Sequence, residues 1–148
     1  MEKVFPQALD NDNGKIHRIK DDGTLPADNP YINEKSAIAS IWTIGNRNIQ
    51  GAAIHPQTGE LWTHEHGPQG GDEINIIRSG RNYGWPVITY GINYNGSTIG
   101  DGLKEKDGME QPLHQWTPSI APSGLAFLRS ERYGRDWQGS AFTGSLKF

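Results

Sequence analysis

The residues best suited to chemistry lie between Gly45 and Pro86: Arg47, the histidines His64 and His66, and the adjacent carboxylates Asp72 and Glu73. Arg47 is set among small and amide residues (Gly45, Asn46, Asn48, Gln50, Gly51). A guanidinium in such a setting can clamp a carboxylate or a developing oxyanion with its rigid fork of donors. It can equally close a loop against carbonyls, and the residues alone leave both readings open. His64 and His66 are alternate residues, so on a strand they share one face. Two imidazoles on one face can ligate a transition metal, but no third ligand stands nearby, and capping a hydrogen-bond network is their commoner use. Gly67-Pro68 follows at once. Proline fixes its own φ and gives no N–H, and glycine turns sharply. The dipeptide is either a plain tight turn, its usual role, or a turn that aims carbonyl oxygens at a hard cation such as calcium.

Three motif matches do not carry their usual meaning. Gly70-Gly71-Asp72-Glu73 is followed by Ile74, not an aromatic, and has no flanking helical pattern. It therefore is not a cyclic-dinucleotide synthase signature. Gly45, Arg47 and Gly51 lack the spacing and following helix of a dinucleotide fingerprint. Asp10-Asn11-Asp12-Asn13-Gly14 has its glycine at the wrong offset for a calcium loop and no closing glutamate, and reads as a solvated turn.

The elements that must hold these groups read as strands. The chain has 148 residues, 34% of them apolar, with 19 Gly and 9 Pro, a composition for short strands and tight turns. Helical periodicity is nearly absent, and Asn33–Trp42 is too short to convince. Strand signals recur at Lys15–Ile19, Ala52–Ile54, Glu60–His64, Glu73–Ile77, Gly124–Leu128 and Ser140–Phe142, separated by turn residues such as His55–Gly59. This predicts an all-β antiparallel sandwich, barrel or propeller in one domain. Tyr94–Pro118 shows no periodicity and is expected to be a long surface excursion of the kind that often carries function.

The charge balance excludes other classes. With 14 basic against 17 acidic residues and a net charge of −3, nucleic acid is not an expected partner. There is no cysteine, so thiolate chemistry and disulfides are out. No apolar run approaches the roughly 20 residues that span a bilayer. The opening MEKVFPQALDNDNG lacks the apolar core of a signal peptide.

Taken in order, Arg47-Asn48-Ile49-Gln50-Gly51, His66-Gly67-Pro68, Gly71-Asp72-Glu73-Ile74-Asn75 and Asn82-Tyr83-Gly84-Trp85-Pro86 resemble the soluble glucose/sorbosone dehydrogenases. Gly14–Arg18 and Asp28-Asn29-Pro30 upstream, and Trp116–Gly124 and Ser145–Lys147 downstream, extend the resemblance over almost the whole chain. The family consists of bacterial aldose sugar dehydrogenases that use pyrroloquinoline quinone (PQQ) and Ca2+ on a six-bladed β-propeller. The resemblance implies that residues 1–148 form a partial propeller of about three blades. Gly67 and Pro68 match the turn whose carbonyls hold the catalytic Ca2+, and Glu73 and Tyr83 match carbonyl donors to a second, structural Ca2+. Arg47 matches the arginine at the quinone carbonyls, Asn48 its cofactor-contacting neighbour, and Lys147 the partner of a PQQ carboxylate. Trp116 matches an aromatic at the substrate mouth, where a sugar can stack.

The implied activity is oxidation of aldoses at the anomeric carbon to lactones, with electrons passing to an acceptor the sequence does not name, in the periplasm. The family's base histidine precedes the segment matching Gly14-Lys15, and no histidine here takes its place. The chain is therefore expected to be an incomplete and poorly active piece, with open sheet edges that invite self-association. The alternative is a non-catalytic propeller module that binds a sugar or a protein.

Overall fold

The computed structural model describes residues 2–147 and is all-β, with no α-helix among the described residues. Three antiparallel sheets follow one another along the chain, of two, four and two strands. β1 (Ile16–His17) pairs with β2 (Ile41–Thr43). β3 (Ile49–Ile54), β4 (Leu61–Glu65), β5 (Asp72–Ile77) and β6 (His114–Trp116) lie side by side in that order. β7 (Pro122–Phe127) and β8 (Ala141–Ser145) form the last pair. Sheets made in sequence from neighbouring strands are the blade pattern of a propeller. Each predicted strand region overlaps a strand. The segment around Asn33–Trp42 forms turns that lead into β2, not a helix.

Local chemistry explains the central hairpin. Between β3 and β4 the His55 amide donates to the Glu60 carbonyl and the Gly59 amide to the His55 carbonyl (2.9 Å each), with Gly59 at φ +71°. Only glycine reaches that region without strain. Gly51 lies opposite His64 across β3 and β4, and a Cβ there would overlap the His64 ring. The β5–β6 link is the long excursion expected from sequence, but it ends in a strand: β6 pairs Asp72 with Trp116 and Ile74 with His114. Three residues are too few for a period-2 pattern to register.

The core holds few apolar side chains, chiefly Ile41, Ile74, Ile77, Tyr83, Ile88 and Ile99. Beside them are buried Asn46, Thr63, His64, Glu65, Asp72 and Asn75. Groups like these persist inside a protein only where hydrogen bonds offset lost hydration. The four-stranded sheet meets β7 through an aromatic cluster. Trp62 and Phe127 meet edge to face at 5.3 Å, and His55 lies 5.4 Å from Trp62.

Candidate functional site

The link between β4 and β5, residues 66–71, folds back on itself against three other segments. Gly67 leaves no room for a side chain, since a Cβ would overlap the Gly70 carbonyl and the Gly71 backbone. Gly91 packs as closely, with a Cβ position 2.7 Å from Pro68 Cγ. The Gly67 amide donates to Asp72 Oδ1 at 2.8 Å. The other oxygen of that carboxylate accepts from Ser119 Oγ (2.6 Å) and from the amides of Ile120 and Ala121 (2.9 Å each). Asp72 thus ties the Gly67-Pro68 turn to the loop entering β7. In turn the Lys147 amide donates to the Ile120 carbonyl at 3.2 Å, which brings the end of β8 to the same place.

Arg47 enters from the other side, just before β3. Its amide donates to Glu65 Oε2 at 2.6 Å, and Nη1 donates to the His66 carbonyl at 2.8 Å. Its guanidinium lies over the Trp85 ring, 5.0 Å from the centroid, a cation–π contact. Nε is buried with no partner, and no ion pair joins Arg47 to a carboxylate among the described residues. The head is therefore held by a carbonyl and a ring face, and neither neutralises its charge.

These segments enclose an open cavity of about 670 Å³ whose wall includes Arg47, Asn48, Gly67, Pro68 and Lys147. Those five sequence-predicted residues come from three separated parts of the chain. His66, Tyr94, Thr117 and Ser119 complete much of the wall. Glu73 and Tyr83 meet elsewhere, on a space of about 10 Å³ lined also by Arg47, Glu65 and Trp85. The Tyr83 hydroxyl donates to the Ile76 carbonyl (2.7 Å) and accepts from the Arg78 amide (2.9 Å). Trp116 lines neither space. Its ring meets His114 edge-on at 4.6 Å, one residue before the wall residue Thr117. The aromatic on the cavity wall is Tyr94, 78% exposed.

Glu65 and Glu73 face each other across β4 and β5, joined by the Asn75 amide, whose Nδ2 donates to both (3.4 and 3.2 Å). Burial pushes Glu65 up to about 7, although the Arg47 and Asn48 amides and the Arg47 charge pull the other way. Burial and then the neighbouring Glu65 charge push Glu73 up to about 8. Burial likewise raises Tyr83 to about 12.

Of the two histidines only His64 lies on β4; His66 stands one residue past its end, and both reach β7. His64 Nε2 donates to the Gly124 carbonyl (2.8 Å) and His66 Nε2 to the Pro122 carbonyl (2.9 Å), so the i, i+2 spacing of the histidines matches i, i+2 on β7. They fasten two sheets together. Among the described residues no group of three or more His, Cys, Asp or Glu is placed to hold a metal. Residue types alone did not reveal Glu65 or what Asp72 binds. Glu65 is hidden between two more conspicuous histidines, and Asp72 reads as one of an acidic pair.

The sequence model of the Glucose / Sorbosone dehydrogenase family matches residues 1–148. The chain is 49% identical over 142 residues to Aldose sugar dehydrogenase YliI of Escherichia coli, covering 95% of this chain and 38% of that protein. It is 48% identical over 75 residues to Quinoprotein glucose dehydrogenase B of Acinetobacter calcoaceticus, covering 51% of this chain and 15% of that one. Among solved structures, the apo form of the soluble aldose sugar dehydrogenase from Escherichia coli superposes with a TM-score of 0.92 at 46% identity, over 99% of this chain and 42% of that one. The PQQ-bound aldose sugar dehydrogenase from Streptomyces coelicolor superposes at 0.69 with 28% identity, over 98% and 36%. The chain thus spans about two-fifths of the length of the first of these relatives.

Proposed function

We propose that this chain, which belongs to the glucose/sorbosone dehydrogenase family, carries the cofactor-binding part of a site that oxidises aldose sugars to lactones with PQQ and Ca2+. The observation that supports this most directly is the convergence of Arg47, Asn48, Gly67, Pro68 and Lys147 on one cavity. Its size suits a small organic cofactor.

The residues present fit both groups. PQQ is a planar tri-acid, and the cavity wall offers Arg47, with its buried unpartnered Nε, together with Lys147. Arg47 would take the quinone oxygens, Lys147 a carboxylate, and the Asn48 amide would complete the polar contact. At Gly67 a Cβ would fill the turn, so only glycine lets the chain fold there and leave the Gly67 and Pro68 carbonyls as ligands for Ca2+, an oxygen-seeking cation. Glu73 and Tyr83, beside the Glu65 carboxylate and the unpartnered Asn75 Oδ1, suit a second, structural Ca2+. When bound, PQQ accepts two electrons and Ca2+ acts as a Lewis acid. Arg47 holds positive charge at the wall where negative charge would build up. Tyr94, on the wall, and Trp116, beside it, offer aromatic faces to a sugar ring.

The resemblance assigns the base that must take the sugar's hydroxyl proton to none of the chain's histidines. His66 lies on the cavity wall with its Nε2 donating to the Pro122 carbonyl, and His64 Nε2 donates to Gly124. His55 and His114 pack against aromatic rings, and His17 is bonded to Ser40. That observation favours a second reading, a non-catalytic propeller module that binds sugar or protein. Residues 1–148 are proposed to be a partial propeller domain, with self-association along its open edges, an unidentified electron acceptor, and a periplasmic location as in the resemblance above.

Calorimetric titration of PQQ with and without Ca2+ tests the proposal. Saturable binding that requires Ca2+ and is lost in Arg47→Ala is expected. Binding of sugar without any binding of PQQ by the folded chain would overturn it in favour of the module.

A further inference from the structure

Arg47 and Asn48 are consecutive, and both backbone amides donate to one oxygen, Glu65 Oε2, at 2.6 and 3.2 Å. In an extended strand successive N–H groups point to opposite sides. Two that converge on one acceptor require a curled backbone, the geometry that lets neighbouring amides cradle an anion. The curl stands where β3 has not yet entered its regular ladder: Ile49 pairs with Glu65 and Gly51 with His64, with an irregularity between them. Here the Asn48 carbonyl accepts from the His66 amide, while both N–H groups of this turn go to the carboxylate. Glu65 is 3% exposed, and its second oxygen is within 3.4 Å of Asn75 Nδ2.

The direction in which a side chain leaves the backbone follows from the local turn. We propose that Glu65 is a positioning residue: by accepting both amides it fixes the curl that turns Arg47 and Asn48 into the cofactor cavity. Its oxygen lies at the backbone of Arg47 while the guanidinium is held by the His66 carbonyl and the Trp85 face. A buried acidic residue thereby organises a cation without forming an ion pair with it, and the arginine's charge stays available to an anionic ligand. The cofactor part of this inference rests on the PQQ reading above; the clamp itself rests on the hydrogen bonds alone.

The test compares Glu65→Met, which keeps the bulk and removes the acceptor, with Glu65→Gln, which keeps an amide oxygen. Two measurements are made on the full chain: amide hydrogen exchange by NMR and PQQ titration in the presence of Ca2+. In Glu65→Met, exchange at the Arg47 and Asn48 amides is expected to quicken about tenfold or more, while the Gly67 amide and the β4–β5 ladder stay protected. PQQ affinity should fall about tenfold or more, within the range commanded by groups that orient a site's direct ligands. Glu65→Gln should restore both to within about threefold. Unchanged exchange or unchanged affinity in a folded Glu65→Met chain would overturn the inference. So would a folded Glu65→Gln chain that behaves like Glu65→Met, and this arm decides if Glu65→Met does not fold. If the unaltered chain binds no PQQ, the functional reading falls, and the exchange comparison still judges the clamp.

Discussion

Replacing Asp72 by asparagine removes the acceptor that joins the Gly67-Pro68 turn to the loop entering β7. The aspartate is fully buried and takes four hydrogen bonds, one on Oδ1 from Gly67 and three on Oδ2 from Ser119, Ile120 and Ala121. Asparagine has one oxygen. Its best orientation keeps that oxygen on the three-donor side and sets its NH2 against the Gly67 N–H, leaving a buried donor without an acceptor. That costs about 1–3 kcal/mol. The three remaining bonds fall from charge-assisted to neutral, at up to about 1 kcal/mol each. Easier burial of a neutral amide offsets part of this, so a net loss of about 3 kcal/mol is expected. Ala121 adds to the argument: it sits at φ +52°, a region that costs a residue with a Cβ about 1–2 kcal/mol, and the Asp72 bond to its amide helps hold it there. The assay is urea denaturation followed by circular dichroism. With a slope of about 1–3 kcal/mol/M, the midpoint should fall by at least about 1 M. Asp107→Asn, on an exposed loop, is the control and should shift stability by less than about 0.5 kcal/mol. A folded Asp72→Asn chain within about 1 kcal/mol of the control would refute the view that this carboxylate organises the site.

Gly67→Ala should abolish Ca2+-dependent PQQ binding while the β1–β2 pair remains folded, because its Cβ has no space against the Gly70 and Gly71 backbone; NMR of the Ile41 and Thr43 amides and calorimetry read the two halves of that statement. Gly51→Ala should destabilise the chain by about 1–3 kcal/mol, since its Cβ would displace the buried His64 ring from the Gly124 carbonyl, and thermal unfolding measures it. The Glu65–Glu73 pair makes the calcium-free chain less stable as pH rises. Both groups are raised in the folded state from an ordinary value of 4.5, to about 7 and about 8, so the folded chain binds more protons. Their contribution is complete below pH 4.5 and lost as pH climbs through 7 and 8. Urea midpoints in EDTA should therefore be lower at pH 8.5 than at pH 5.5 once other groups are matched with a Glu73→Gln control; equal differences in both chains would refute the assignment.

Strand positions were readable because their signal is local. Alternation in Glu73–Ile77 and the His55–Gly59 turn need no knowledge of the rest of the fold. β2 and β6, of three residues each, escaped for the same reason: their pairing is set by distant partners, Thr43 with Ile16 and Trp116 with Asp72. The site divides along the same line. Residue type leaves Gly67-Pro68 and Arg47 with two readings each, and only the motif order links them to one another and to Lys147. The assignment of His64 and His66 to two carbonyls of β7 was not accessible, because a backbone acceptor from another sheet leaves no trace in side-chain spacing. Glu65 and Asp72 were obscured similarly: each binds main-chain amides, and main chain is common to every residue.

That distinction bears on how the cavity stays electrostatically available. A buried carboxylate next to an arginine would ordinarily pair with it, and the pair would have little affinity left for an anion. Here two buried carboxylates of the site are turned to other uses. Glu65 is occupied by the Arg47 and Asn48 amides, and Asp72 by Gly67 and the Ser119–Ala121 loop. Backbone N–H groups can satisfy a carboxylate without cancelling a neighbouring cation, since they bring partial charges only. The arrangement also divides the labour spatially, with Glu65 setting the arginine side of the cavity and Asp72 the turn side. Loss of Glu65 should therefore act on anion affinity with the Gly67 turn intact, whereas loss of Asp72 should loosen the turn and the approach of Lys147 together, because Lys147 reaches the cavity through the Ile120 carbonyl that Asp72 helps to hold.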